Sequence, residues 1–118
     1  MTQYHEPVEF LDEEALNFSR ALNSLKEEIE AIDWYHQRVV ASKDPELKAI
    51  MAHNRDEEIE HAVMSLEWLR RNMDGWDEEL KTYLFTTGPI TEIEEKAMQT
   101  DSSGETNNNG SLKIGDMK

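Results

Sequence analysis

Glu58-Ile59-Glu60-His61 forms the step Glu-x-x-His, and one helix earlier stands the run Glu27-Glu28-Ile29-Glu30. Three residues apart on a helix, a carboxylate and an imidazole share one face. Such hard oxygen donors with an imidazole, and no sulfur, suit iron or manganese in a site with open coordination positions. The chain has no cysteine, which removes thiolate metal sites, disulfides and thiol catalysis together. The chemistry this donor set offers is therefore that of oxygen- and nitrogen-bound cations.

Two Glu-x-x-His steps and a lone Glu from each of two further helices make up the ligand set of a di-iron carboxylate bundle. This chain holds half of it, with Glu28 as the lone carboxylate and Glu58 and His61 as the step. A second copy is expected to supply the other half. With 26 acidic residues in 118, one Glu-x-x-His weighs little by itself. Its place inside an apolar stripe weighs more, because a buried carboxylate needs a compensating charge.

Two further constellations accompany it. Glu27, Glu30 and Trp34 are spaced as neighbours on one helix face. A solvated acidic face accounts for the glutamates, whereas an exposed Trp points to a second protein interface. His53, Glu57 and Glu60 line another face as a weak divalent-cation site, with calcium among the candidates; a plain solvated face is the competing reading. Tyr35 and Asn54 lie near the stripes as groups able to hydrogen-bond to ligands. His36 is read as a core histidine.

The elements that must position these residues are helical. Residues 7–40 read as one long helix, with Pro7 in its first turn. At about 100° per residue, Phe10, Leu11, Glu14, Phe18, Ala21, Leu22, Leu25, Ile29, Ile32, His36 and Val39 form its stripe, with Glu28 on the edge. Asp44 caps and Pro45 starts a second helix that runs to about Asn72, before Asp74-Gly75. Its stripe holds Leu47, Ile50, Met51, Asn54, Glu58, His61, Ala62, Ser65, Trp68 and Leu69. The short link makes an antiparallel hairpin, and two hairpins together seal both stripes. After Gly88-Pro89, Thr91 to Glu94 reads as a capping box for a last short helix. The expected organisation is an all-α half-bundle over 1–97, a flexible linker over 98–110 and a short terminal peptide over 111–118.

Composition narrows the function classes. A net charge of −14 with only 12 Lys and Arg argues against nucleic-acid binding and concentrates cations near the surface. No apolar run spans a bilayer and no signal peptide is evident, so the cytosol is the expected compartment. A chain this small, 37% hydrophobic and 32% charged, is expected to need a metal or a partner subunit for stability.

With these residues in view, the chain resembles the encapsulated ferritins, ferritin-like cargo of encapsulin nanocompartments. The resemblance rests on Glu27-Glu-Ile-Glu-Ala-Ile-Asp-Trp-Tyr35, His53-Asn-Arg-Asp-Glu-Glu-Ile-Glu-His61, Leu66-Glu-Trp-Leu-Arg-Arg71 and Thr82-Tyr-Leu-Phe85. The ending is similar to a cargo-loading peptide of the Gly-Ser-Leu-x-Ile-Gly type, in Ser111, Leu112, Ile114 and Gly115, and departs from it at Asp116-Met117. The resemblance implies a ferroxidase that oxidises Fe(II) to Fe(III) at a di-iron centre on a two-fold interface between hairpins. Glu28, Glu58 and His61 would then be the iron ligands. Glu27, Glu30 and Trp34 would be the site where metal enters, and His53, Glu57 and Glu60 an outer cation site. It also implies dimers assembled into a ring-shaped decamer, held by its terminal peptide inside an encapsulin shell. The competing class is a non-catalytic acidic helical scaffold or a metal-responsive interaction module.

Overall fold

A computed structural model describes residues 4–104, with side chains placed to Gln99. Among the described residues every regular element is helical: a 3-10 turn at Val8–Phe10, then α1 (Glu13–Ala41), α2 (Pro45–Asn72), α3 (Trp76–Tyr83) and α4 (Ile90–Gly104). No described helix is long and apolar enough to cross a membrane. The described residues fall into two units, divided between Leu69 and Arg70.

The first unit is a hairpin of two long helices. Asp12 starts α1 by accepting a 2.8 Å bond from the Ala15 amide, and Asp44 starts α2 in the same way through the Leu47 amide. Each carboxylate satisfies an amide that the first helical turn would leave unpaired. The expected second helix, from Pro45 to Asn72, is observed as expected. The first helix begins at Glu13 instead of at 7: Pro7 leads into the 3-10 turn, and extended backbone at Leu11 and Asp12 separates that turn from α1.

Cross-links fix the direction of the pair. Phe18 meets Trp68 edge to face at 6.1 Å, Glu28 meets Ser65, and His36 meets Arg55. Partner numbers rise on one helix as they fall on the other, so the helices run antiparallel. Along α1 the half-buried positions Phe18, Ala21, Leu25, Glu28, Ile32, Tyr35 and Val39 alternate in steps of three and four. On α2, Met51, Arg55, Glu58, Ala62, Ser65 and Leu69 do the same. That alternation is the seam of paired helices. It corrects the expected stripes in one respect: Leu22, Ile29 and His36 on α1, and Leu47, Ile50, His61 and Trp68 on α2, lie exposed beside the seam. Glu28 and Tyr35 lie within it.

Little apolar surface is enclosed. Ala62 and Leu69 are the buried hydrophobic residues among those described, while Leu22, Ile29, Ile50, Ile59, Met64 and Trp68 stay open on the flanks.

The second unit holds the C-terminal end of α2 with α3 and α4. Gly75, at φ 100°, makes the turn before α3, a left-handed conformation that glycine takes without a Cβ clash. α4 starts directly after Pro89, whose carbonyl accepts from the Glu92 amide at 3.1 Å. The expected box from Thr91 to Glu94 is therefore not formed: Thr91 lies within the first helical turn. α4 also continues through residues 98–104, past the expected end of the helical body at 97. The expected targeting residues Ser111, Leu112, Ile114 and Gly115 lie outside the described residues.

Asp77 is the buried acid of this unit. It pairs with Lys81 at 3.0 Å and with Arg70, and these hydrogen bonds, Lys81 first, hold its carboxyl below the ordinary aspartate value of 3.8 against the opposing effect of desolvation. A depressed pKa contributes stability in full above the unfolded value and loses it as pH falls through the folded one. Asp77→Asn is therefore expected to melt below wild type near neutral pH, with the gap closing as the pH falls below 3.8. Thermal melts across that range check this, and a gap insensitive to acid would contradict it.

Candidate metal centre

Glu58 sits at a seam position of α2 because the three-and-four alternation places it between Arg55 and Ala62. Its side chain keeps 27% exposure, against 46% for His61, and Oε1 lies 3.6 Å from His61 Nδ1. The Glu-x-x-His step therefore brings the two together, with the carboxylate in the seam and the imidazole on its open flank. Glu28 reaches the seam from α1, where its Oε1 accepts a 2.9 Å hydrogen bond from Ser65 Oγ. Ser65 follows His61 by four residues and Glu58 by seven, so it extends the same strip of α2.

Among the described residues no lysine or arginine pairs with Glu28 or Glu58. Two half-buried carboxylates thus occupy the seam without a lysine or arginine partner, Glu58 meeting the His61 imidazole instead, and desolvation there favours a neutralising cation. Among the described residues of one chain, no three His, Asp or Glu converge closely enough to hold a metal ion. The donors present are oxygen and imidazole nitrogen, a set that iron and manganese accept and that thiophilic metals do not prefer.

The outer groups are rearranged relative to expectation. Glu57 stands between two imidazoles, 3.9 Å from His53 and 3.9 Å from His61. Exposed Glu60 takes no part in these pairs. Glu27, Glu30 and Trp34 are all exposed on α1, Trp34 to 51%. Glu27 borders a small concavity of about 230 Å³ with Tyr4, Arg20 and Asn23, whereas Trp34 borders a separate groove with Gln37, Arg38 and Ala41. Tyr35 is half-buried in the seam with the Arg38 guanidinium 5.2 Å from its ring centre. Asn54 is half-buried on α2. His36 is exposed, with Nδ1 3.1 Å from Arg55 Nη1, and does not occupy the core.

Ser65 and Arg55 were not singled out by the sequence as site residues. The signal for Ser65 was its seven-residue offset from Glu58, a small polar residue two turns along the same face. Beside it a groove of about 520 Å³ runs between the helices, bordered by Asn17, Arg20, Ser24, Met64 and Trp68.

The sequence profile described as EncFtn-like matches residues 3–87. The chain belongs to the EncFtn-like family. It is 63% identical over 112 residues to a ferritin-like protein of Thermotoga maritima, covering 95% of each chain. It is 57% identical over 121 residues to an encapsulated ferritin-like protein of Rhodospirillum rubrum, covering 97% of this chain and 86% of that one. Among solved structures, protein ne0167 from Nitrosomonas europaea superposes with a TM-score of 0.73 at 58% identity, over 75% of this chain and 99% of its own. The EncFtn-like fold is therefore that of the two long packed helices described above.

A seam carboxylate that lacks a lysine or arginine partner costs desolvation that a hydrocarbon would not. In the presence of a chelator, Glu58→Leu in this EncFtn-like chain is expected to melt at or above the wild-type temperature. Calorimetry of both proteins checks this; a fall of many degrees would make Glu58 a structural support.

Proposed function

We propose that the chain is a ferroxidase whose iron site is completed by a second copy, each copy giving Glu28, Glu58 and His61. The observation that carries the reading is the pair of seam carboxylates that no described lysine or arginine pairs with, one of them 3.6 Å from an imidazole. Doubling this set gives four carboxylates and two imidazoles, enough for two iron ions with carboxylates shared between them. The open apolar flanks, with Ile50, Met64 and Trp68 beside His61, offer a surface for a matching hairpin. The names of the two relatives, ferritin-like and encapsulated ferritin-like, support an iron-handling role.

Iron is the substrate in this reading. Each ferrous ion gives up one electron to dioxygen or peroxide, and carboxylates favour the harder ferric product. Glu28 and Glu58 neutralise the added charge, His61 completes the donor set, and no protein nucleophile is required. Glu27, Glu30 and Trp34 serve as the site where metal enters. His53 and Glu57 bind cations weakly at the outside, calcium among them, with Glu60 nearby. Tyr35 and Asn54 steady the ligands from within or beside the seam. Dimers join into a ring-shaped decamer, and residues 111–118 attach the protein to an encapsulin shell in the cytoplasm, across a linker ending at 110.

Iron oxidation separates this reading from a non-catalytic acidic scaffold. Purified protein loaded with Fe(II) without oxygen and then aired is expected to develop ferric absorbance faster than Glu58→Ala and His61→Ala. The loss expected for each is about a hundredfold or more, the scale of losing a group that acts on the reacting centre. Equal rates in all three would favour the scaffold.

Deletion of residues 111–118 is expected to leave that rate unchanged and to abolish co-purification with the shell protein. Co-expression followed by size-exclusion chromatography checks this, and continued loading would assign docking to another surface.

A further inference from the structure

We propose that Ser65 is a positioning residue for Glu28, fixing which way its carboxylate faces before metal arrives; this rests on the iron-site reading above. A helical serine commonly turns its hydroxyl back to the carbonyl one turn earlier on its own helix. Ser65 instead sends its hydroxyl across the hairpin, donating to Glu28 Oε1 at 2.9 Å. Of the three donors, Glu28 is the one carried by the other helix, and Ser65 is its hydrogen-bonding link to the strip that bears Glu58 and His61.

The bond has a geometric consequence. A glutamate on one helix has several side-chain torsions, and without a tether its carboxylate samples many orientations. A donor at one oxygen fixes the carboxylate plane and leaves Oε2, together with the remaining lone pair of Oε1, for a cation. The hydroxyl carries no charge. It can therefore orient Glu28 without competing for the negative charge that holds metal, as a lysine or arginine in that position would.

The neighbouring seam positions on α2 sharpen the point. Ala62 and Leu69, on either side of Ser65 along the seam, are the buried hydrophobic residues of the described chain. An alanine at 65 would satisfy packing equally well, since a half-buried hydroxyl contributes little to stability beyond what its partner returns. Hydrogen-bonding partners of ligating carboxylates tune affinity strongly, and their removal costs about 10–100-fold in metal binding.

Cobalt(II) titration of the full chain tests this without iron turnover, because its visible absorption reports the ligand set. Wild type is compared with Ser65→Ala, Ser65→Thr and Glu58→Ala, each first melted in chelator to verify equal folding. Ser65→Ala is expected to melt with wild type yet need about tenfold or more Co(II) for half-saturation, with a shifted absorption band. Ser65→Thr, which restores the hydroxyl, is expected to recover both. Wild-type affinity and spectrum in Ser65→Ala would overturn the proposal, as would a Ser65→Thr protein as weak as Ser65→Ala. If Glu58→Ala binds Co(II) as wild type does, the iron-site reading itself falls and takes the role of Ser65 with it.

Discussion

Everything in the hairpin is organised around two acids standing where hydrocarbon would ordinarily close a seam. Glu28 lies in the seam between Leu25 and Ile32, and Glu58 between Arg55 and Ala62. A carboxylate there loses part of its hydration, and among the described residues no lysine or arginine pairs with it. The donor seen at Glu28 among the described residues, the Ser65 hydroxyl, is neutral and leaves the carboxylate's charge uncancelled. The fold thus keeps a negative potential in its middle and leaves it for something mobile to balance.

Around that centre the helices are held at their ends and edges. Asp12 and Asp44 cap the two starts through 2.8 Å bonds, and Phe18 against Trp68 closes one end of the pair. The second unit secures its own turn differently, through Asp77 clasped by Lys81 and Arg70. The buried acid there has two basic side chains beside it, in contrast with the seam. The buried, paired acid and the seam acids are therefore kept in different units of one very acidic chain.

Much of this was legible in the sequence, and the failures have physical causes. The second helix announced itself through Asp44-Pro45, because a capping carboxylate and a ring that presets φ act locally. The step of three from Glu58 to His61 foretold that the two side chains lie side by side. The seam of α1 was mis-centred because Leu22 and Ile29 are as apolar as Leu25 and Ile32, so hydrophobicity alone spreads over two flanks. Only the partner helix decides which row is inside, and it selects Glu28 over Ile29 and Tyr35 over His36. Pro7 misled for a related reason: it suits the first turn of any helix, and it opened a 3-10 turn that stops before Asp12. Thr91 and Glu94 had the spacing of a capping box, yet the helix had already started two residues earlier, after Pro89. The Ser65 contact was invisible because it depends on the register between helices, which neither helix encodes by itself.

The near absence of an enclosed core has its own outcome in the cell. Among the described residues the buried apolar side chains are an alanine and a leucine; under the proposed pairing of two copies, folding free energy would come in large part from the covered flanks, and survival would follow concentration by mass action. Dilute orphan chains would open readily and be cleared by proteases, while chains made in quantity would protect one another. Supply would then act as quality control, removing half-built acidic hairpins before they could bind redox-active metal in the wrong place.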